Sequence, residues 1–179
     1  MKNNGRGVTS ERVRETVIFA MLGSLMFCSK ILTEVLPNIH LLGLLTMVYT
    51  LTYRLKALIP IYVFVLLTGV YAGFSLWWLP YLYIWTLLWG MTMLLPRRMP
   101  KKVAYFVYPA VCCIHGLAYG ILYSPAQALM FGLNFEQTLT WIAAGFPFDL
   151  IHGISNFIVG FCIPALSELL GKLSSKRYR

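Results

Sequence analysis

The sequence predicts an all-α integral membrane protein: one domain over residues 1–179, six transmembrane helices, and both termini on the cytoplasmic side. Three observations carry this expectation. Of the residues, 59% are hydrophobic and the mean hydropathy is +0.71, more apolar surface than a soluble core of this size buries. A hydrocarbon core of about 30 Å takes about 20 apolar residues per helix, so the chain has length for six crossings with short connections. On that division, 14 of the 15 basic residues fall on one side of the bilayer.

The first helix is expected at about 15–36, after a polar start with Lys2, Arg6, Arg12 and Arg14. Its apolar run, 17–36, is too long for a signal-peptide core and no small-x-small cleavage site follows it, so it reads as a span. The second helix, at about 39–53, is short for a crossing. Arg54 and Lys56 separate it from the third, at about 57–74. The fourth is expected at about 77–95, and Arg97, Arg98, Lys101 and Lys102 divide it from the fifth, at about 103–123. Segment 124–146 is apolar enough for another span, but a seventh crossing would carry the basic C-terminus, with Lys172, Lys176, Arg177 and Arg179, to the other side. It is therefore expected to be an external loop with an interfacial or re-entrant piece, and the sixth helix to run at about 147–170. The connections near 37–40, 75–77 and 124–137 contain no Lys or Arg, which leaves Lys30, inside the first helix, as the exception. Trp77, Trp78, Tyr81 and Trp141 suit an aromatic belt at the outer interface.

The net charge of +9 does not point to nucleic acid, because the basic residues occur in small groups between apolar runs rather than as a stripe on a soluble helix. Cys28, Cys112, Cys113 and Cys162 lie in apolar stretches without CxxC or metal-ligand spacing and read as packing residues. No phosphate-binding GxxxxGK[ST], no GxSxG and no HExxH occurs, and His115, Asp149 and His152 match no specific zinc pattern. The expectation is a protein that is not an enzyme, without cofactor or metal, and an uptake protein this small needs an ion gradient or a separate engine.

Several polar residues lie where lipid is expected. Lys30 and Glu34 stand four apart in the outer half of the first helix, as a snorkelling ion pair or as the wall of a ligand cavity. Asp149, His152 and Asn156, at i, i+3 and i+7, share one helix face and should look into the bundle, as a cavity lining or a hydrogen-bonded network. His115 and His40 are weaker candidates. Tyr81, Trp85 and Trp89, at i, i+4 and i+8, could stack on an aromatic ligand or simply pack. Ala20, Ser24 and Cys28, with Gly23 beside them, form a groove of small side chains on the first helix, for packing within the chain or for docking a separate subunit.

On these residues the chain resembles the S components of energy-coupling factor (ECF) transporters, small six-helix subunits that capture vitamins and related micronutrients. The likeness extends over nearly the whole chain. It is most specific in Ala20, Ser24 and Cys28, similar to an alanine-rich docking motif although Ser24 and Cys28 replace alanines, and in the final segment GFPFDLIHGISNFIVGFCIPALSELLGKL. The resemblance implies a bundle in a bacterial cell membrane that binds its substrate beneath external loops and topples in the lipid, driven by a transmembrane coupling protein and two ATPase subunits. From depth and facing, the substrate contacts are expected from Lys30 and Glu34 as polar anchors, Asn38 and His40 in the first loop, Trp85 for stacking, and Asp149, His152 and Asn156 as the last wall. Aromatic walls with charges of both signs suit a planar or zwitterionic nutrient. The competing readings are a structural scaffold of six spans and an intramembrane enzyme with Asp149 and His152 as base and orienter.

Overall fold

The structure, a computed structural model, describes residues 4–36, 38–97 and 99–175, with side chains from residue 10 onward. Lys2, Pro37, Arg98, Lys176, Arg177 and Arg179, and the side chain of Arg6, lie outside the described residues. Every regular element among the described residues is helical: α1 Asn4–Leu32, α2 Leu42–Tyr53, α3 Leu58–Ala72, α4 Tyr81–Leu94, α5 Lys101–Leu117, α6 Tyr119–Phe131, α7 Phe135–Gly160 and α8 Ile163–Ser175, with short 3-10 turns at Arg54–Ala57 and Leu76–Trp78. Four stretches are long and apolar enough to cross a membrane: Ser10–Leu32, Leu42–Ala72, Lys101–Phe131 and Phe135–Gly160.

Side-chain contacts give the direction of each arm. Phe19 meets Tyr53 edge-on and the Tyr49 hydroxyl donates to the Leu22 carbonyl at 3.0 Å, so α2 runs against α1. Lys56 pairs with Glu15 at 2.6 Å and Tyr71 meets Phe27, so α3 runs with α1. Stretch Leu42–Ala72 therefore folds back on itself at Arg54, whose φ of 55° is a left-handed value that ends α2. The Arg54 guanidinium donates to the Met93 carbonyl at 3.0 Å, and Trp89 Nε1–H donates to the Arg54 carbonyl at 3.0 Å, which ties this turn to the end of α4. Further along, Tyr62 bonds Leu82 and Thr86, His115 bonds Ile84, and Gly120 bonds Asp149, each reversing direction once more. The result is six arms of alternating direction: α1, α2, α3, α4, α5 with α6, and α7 with α8.

Segment 124–146, expected as an external loop with an interfacial or re-entrant piece, is helical over most of its length: α6 continues to Phe131 and α7 begins at Phe135. The tight hairpin between them has local causes. Gly132, at φ 64°, closes α6, and Asn134 opens α7 with a capping box in which Gln137 N–H donates to Asn134 Oδ1 and Asn134 N–H to Gln137 Oε1, both at 2.9 Å. Pro125 cannot donate to the carbonyl four residues back, and the Ser124 hydroxyl donates to that Ile121 carbonyl instead, at 2.9 Å. The expected sixth helix, 147–170, is also interrupted, because Pro164 has no N–H for the Gly160 carbonyl and the chain turns at 161–162 before α8.

The densest packing is between α5 and α7. Gly116 and Gly120 on α5–α6 face Gly153 and Asp149 on α7, and Gly160 sits against Pro109, so the backbones approach as closely as small residues allow. Met26, Met47, Phe64, Trp85, Leu88 and Cys112 fill the core between the arms.

Candidate functional site

At the end of the bundle where α2 begins, three arms and the α1–α2 connection bring aromatic and polar side chains together. His40 comes from the connection after α1, Trp85 from α4, His115 and Tyr119 from α5 and α6, and His152 and Asn156 from α7. The His40 and His152 rings lie 4.5 Å apart between centroids, Tyr119 is 5.0 Å from His152, and Trp85 is 6.1 Å from His40 and 5.9 Å from His115. Tyr81 and Phe64 close the far side of Trp85 at 6.0 and 5.9 Å.

The helices explain the convergence. His115 and Tyr119 follow one another across the α5–α6 break at four-residue spacing, as do His152 and Asn156 on α7, so each pair descends one wall. Trp85, His115, His152 and Asn156 are no more than 2% exposed. The break itself is held by Asp149, whose carboxylate accepts from Gly120 N–H with both oxygens at 3.1 Å, satisfying a donor that the interrupted helix leaves free.

Hydrogen bonding inside the cluster is incomplete. His115 Nε2 lies 3.1 Å from the Ile84 carbonyl, and since a carbonyl only accepts, that nitrogen carries the proton and Nδ1 is a bare acceptor. Asn156 Nδ2 donates to the Cys112 carbonyl at 3.4 Å, leaving its Oδ1 unmet. Seven buried side-chain nitrogen and oxygen atoms lack a partner among the described residues, and five belong to this cluster: His40 Nδ1, Trp85 Nε1, His115 Nδ1, His152 Nε2 and Asn156 Oδ1. Burial pushes the His40 imidazole down to about 4, with His115 and Lys30 adding to the effect, so the ring is neutral at pH 7.

Of the residues singled out in the sequence, His40, Trp85 and His152 touch, and Asn156 lies one turn deeper. Lys30 and Glu34 form a 4.0 Å ion pair beside the cluster, Lys30 largely buried and near enough to act on His40, Glu34 lying in the turn beyond the end of α1 and 58% exposed. Asn38, at φ 59°, contributes its backbone: the Ser155 hydroxyl, which donates to the His152 carbonyl at 2.9 Å, shares that proton with the Asn38 carbonyl at 3.3 Å, so the α1–α2 connection lies against α7. Asp149 acts on the α5–α6 break as described. His115 is more central than its isolation in the sequence suggests, and Tyr119 was missed; their four-residue spacing was the available signal. Trp89 does not continue the Tyr81–Trp85 face into the site but serves the Arg54 turn at the opposite end. Ala20, Ser24 and Cys28 are exposed on the outer face of α1, while Gly23 packs on Val63 and Pro60. Among the described residues no group of three or more His, Cys, Asp or Glu side chains is arranged to hold a metal ion. Comparisons of the chain with protein-family models, with curated proteins and with solved structures found no match.

Proposed function

We propose that the chain is the substrate-binding subunit of an uptake transporter, as its resemblance to ECF S components implies. It is a six-span bundle of the cell membrane with cytoplasmic ends, which captures a vitamin or related micronutrient from outside. A membrane coupling protein and two ATPase subunits then drive its uptake.

The observation that carries this reading is the set of five unpartnered polar atoms buried among flat rings. Each buried polar group left unmet costs about 1–3 kcal/mol, and apolar side chains would serve a purely structural core better. A binding protein keeps such atoms for its ligand. Two features support the rest. Arg54, Lys56, Lys101 and Lys172 gather at the end of the bundle opposite the cluster, which the positive-inside tendency assigns to the cytoplasm. The small residues Ala20, Ser24 and Cys28 face outward from α1, leaving a surface on which a second protein's helix could lie close. The intramembrane-enzyme reading is weakened because the Asp149 carboxylate is engaged by the Gly120 N–H rather than by His152.

Co-expressed with an ATPase coupling module, the chain is expected to co-purify with it and to support ATP-dependent uptake. Mass spectrometry of the purified chain should find a small molecule carried with it. Absence of complex, uptake and retained molecule together would refute the proposal.

A further inference from the structure

The donors and acceptors in the cluster restrict what it can hold, given the binding role proposed above. Trp85 Nε1–H can only donate. His115 Nδ1 and Asn156 Oδ1 can only accept, because their partner atoms already donate to the Ile84 and Cys112 carbonyls. His40 Nδ1 and His152 Nε2 take either role according to tautomer. A matching ligand carries at least two donors and one acceptor within the span of a few rings.

Charge narrows it further. No carboxylate or ammonium belongs to the buried set. Asp149 is bonded to Gly120, and Lys30 and Glu34 partly neutralise one another at the rim. An anionic group placed here would face two bare acceptors, and a cationic one would lose its hydration without a counter-charge. Shape narrows it again, since the walls are Trp85, Tyr81, Tyr119 and His152, flat surfaces that suit offset or edge-on contact with another ring. The 4.5 Å spacing of His40 and His152 leaves no gap for a ring between them, and His40 is the one member supplied by a connection rather than a helix. It is the wall that must give way.

We propose that the cluster binds an uncharged planar heteroaromatic ring of nucleobase type, which donates to His115 Nδ1 and Asn156 Oδ1, accepts from Trp85 Nε1–H, and enters by displacing His40. A zwitterionic nutrient would have to part the Lys30–Glu34 pair to find its counter-charges.

The test is equilibrium dialysis of the full chain in detergent against adenine, hypoxanthine and nicotinamide, beside nicotinate, benzoate and cyclohexanecarboxamide. At least one of the first three should bind one per chain, and the two carboxylates and the non-aromatic amide at least about tenfold more weakly. Trp85→Phe, which keeps a ring but not the N–H, and Asn156→Leu should each weaken the bound probe by about tenfold or more. Equal or tighter binding of the carboxylates, or no binding of any neutral ring by the unaltered chain, overturns the proposal whatever the variants do. The two proposals fail separately: neutral-ring binding without assembly or uptake defeats the transport reading alone, and uptake of only charged nutrients defeats this one alone.

Discussion

Replacing Gly116 by alanine places a methyl group where α5 and α7 touch. The new carbon would lie 2.8 Å from Asn156 Nδ2, 3.0 Å from Gly153 Cα and 3.1 Å from Gly153 N. Ordinary contact begins near 3.4 Å, so the amide must swing aside and the two backbones must part by roughly 0.4 Å. Overpacking of this kind costs about 1–3 kcal/mol, against which alanine in a helix interior gains about 0.5–1 kcal/mol over glycine. The net loss of about 0–2.5 kcal/mol corresponds to a fall in Tm of about 0–10 °C for a chain of this size, and against control glycines that take the alanine gain without the clash the loss is about 1–3 kcal/mol. Thermal unfolding of the detergent-solubilised protein reads it directly. Gly90→Ala and Gly171→Ala, with nothing within 4 Å of the added carbon, are the controls and should leave Tm unchanged or raise it. If Gly116→Ala melts with the controls, the close approach of α5 and α7 is wrong, and with it the depth assigned to Asn156.

Asp149→Ala should lower stability by about 1–3 kcal/mol in the same assay, because it strands the Gly120 N–H, whereas Asp149→Asn retains an acceptor and should lose less. Trp85→Phe should bind ligand more weakly and also melt lower, since the smaller ring leaves a cavity in the core; unchanged ligand binding would mean that the indole N–H does not meet the ligand. Ala20→Trp, on the exposed face of α1, should abolish complex formation with a coupling module while leaving ligand binding intact; the converse outcome would assign that face to internal packing. His40 in the folded protein takes up its proton only near pH 4, below the 6.5 of an unfolded histidine, so the unfolded chain binds more protons between those values and stability falls as pH drops through that window. His40→Asn should flatten part of the decline in Tm between pH 7 and pH 5, and an unchanged slope would refute the assignment.

Much of this architecture was legible because helices long and apolar enough to cross a membrane follow simple rules. The apolar runs mark the arms and the basic groups mark their turns, so Arg54 and Lys56 announced a reversal that the structure makes at that point. The i, i+3, i+7 face of Asp149, His152 and Asn156 could be read as inward because lipid penalises the alternative. Counting charges, however, bears on crossings and says little about helicity. Charge counting alone therefore gives 124–146 as an external loop with an interfacial or re-entrant piece, whereas Gly132, Asn134 and Gln137 spell out a helix stop and a capping box. Asp149's attachment to Gly120 was not legible, because it depends on a helix break in another arm. Trp85 and Trp89 share a sequence face, but the Arg54 turn claims one and the histidines the other, a division made by tertiary contacts alone.

The Ser155–Asn38 bond spans 117 positions. The connection that carries His40 thus lies against a helix synthesised long after it, and His40 and Tyr119 gain His152 between them only when α7 arrives. Contacts this distant in sequence form late, after the local hairpins. The cluster is consequently complete only once α7 is made, and a translation product stopped anywhere before His152 would carry its aromatic half with nothing to close it.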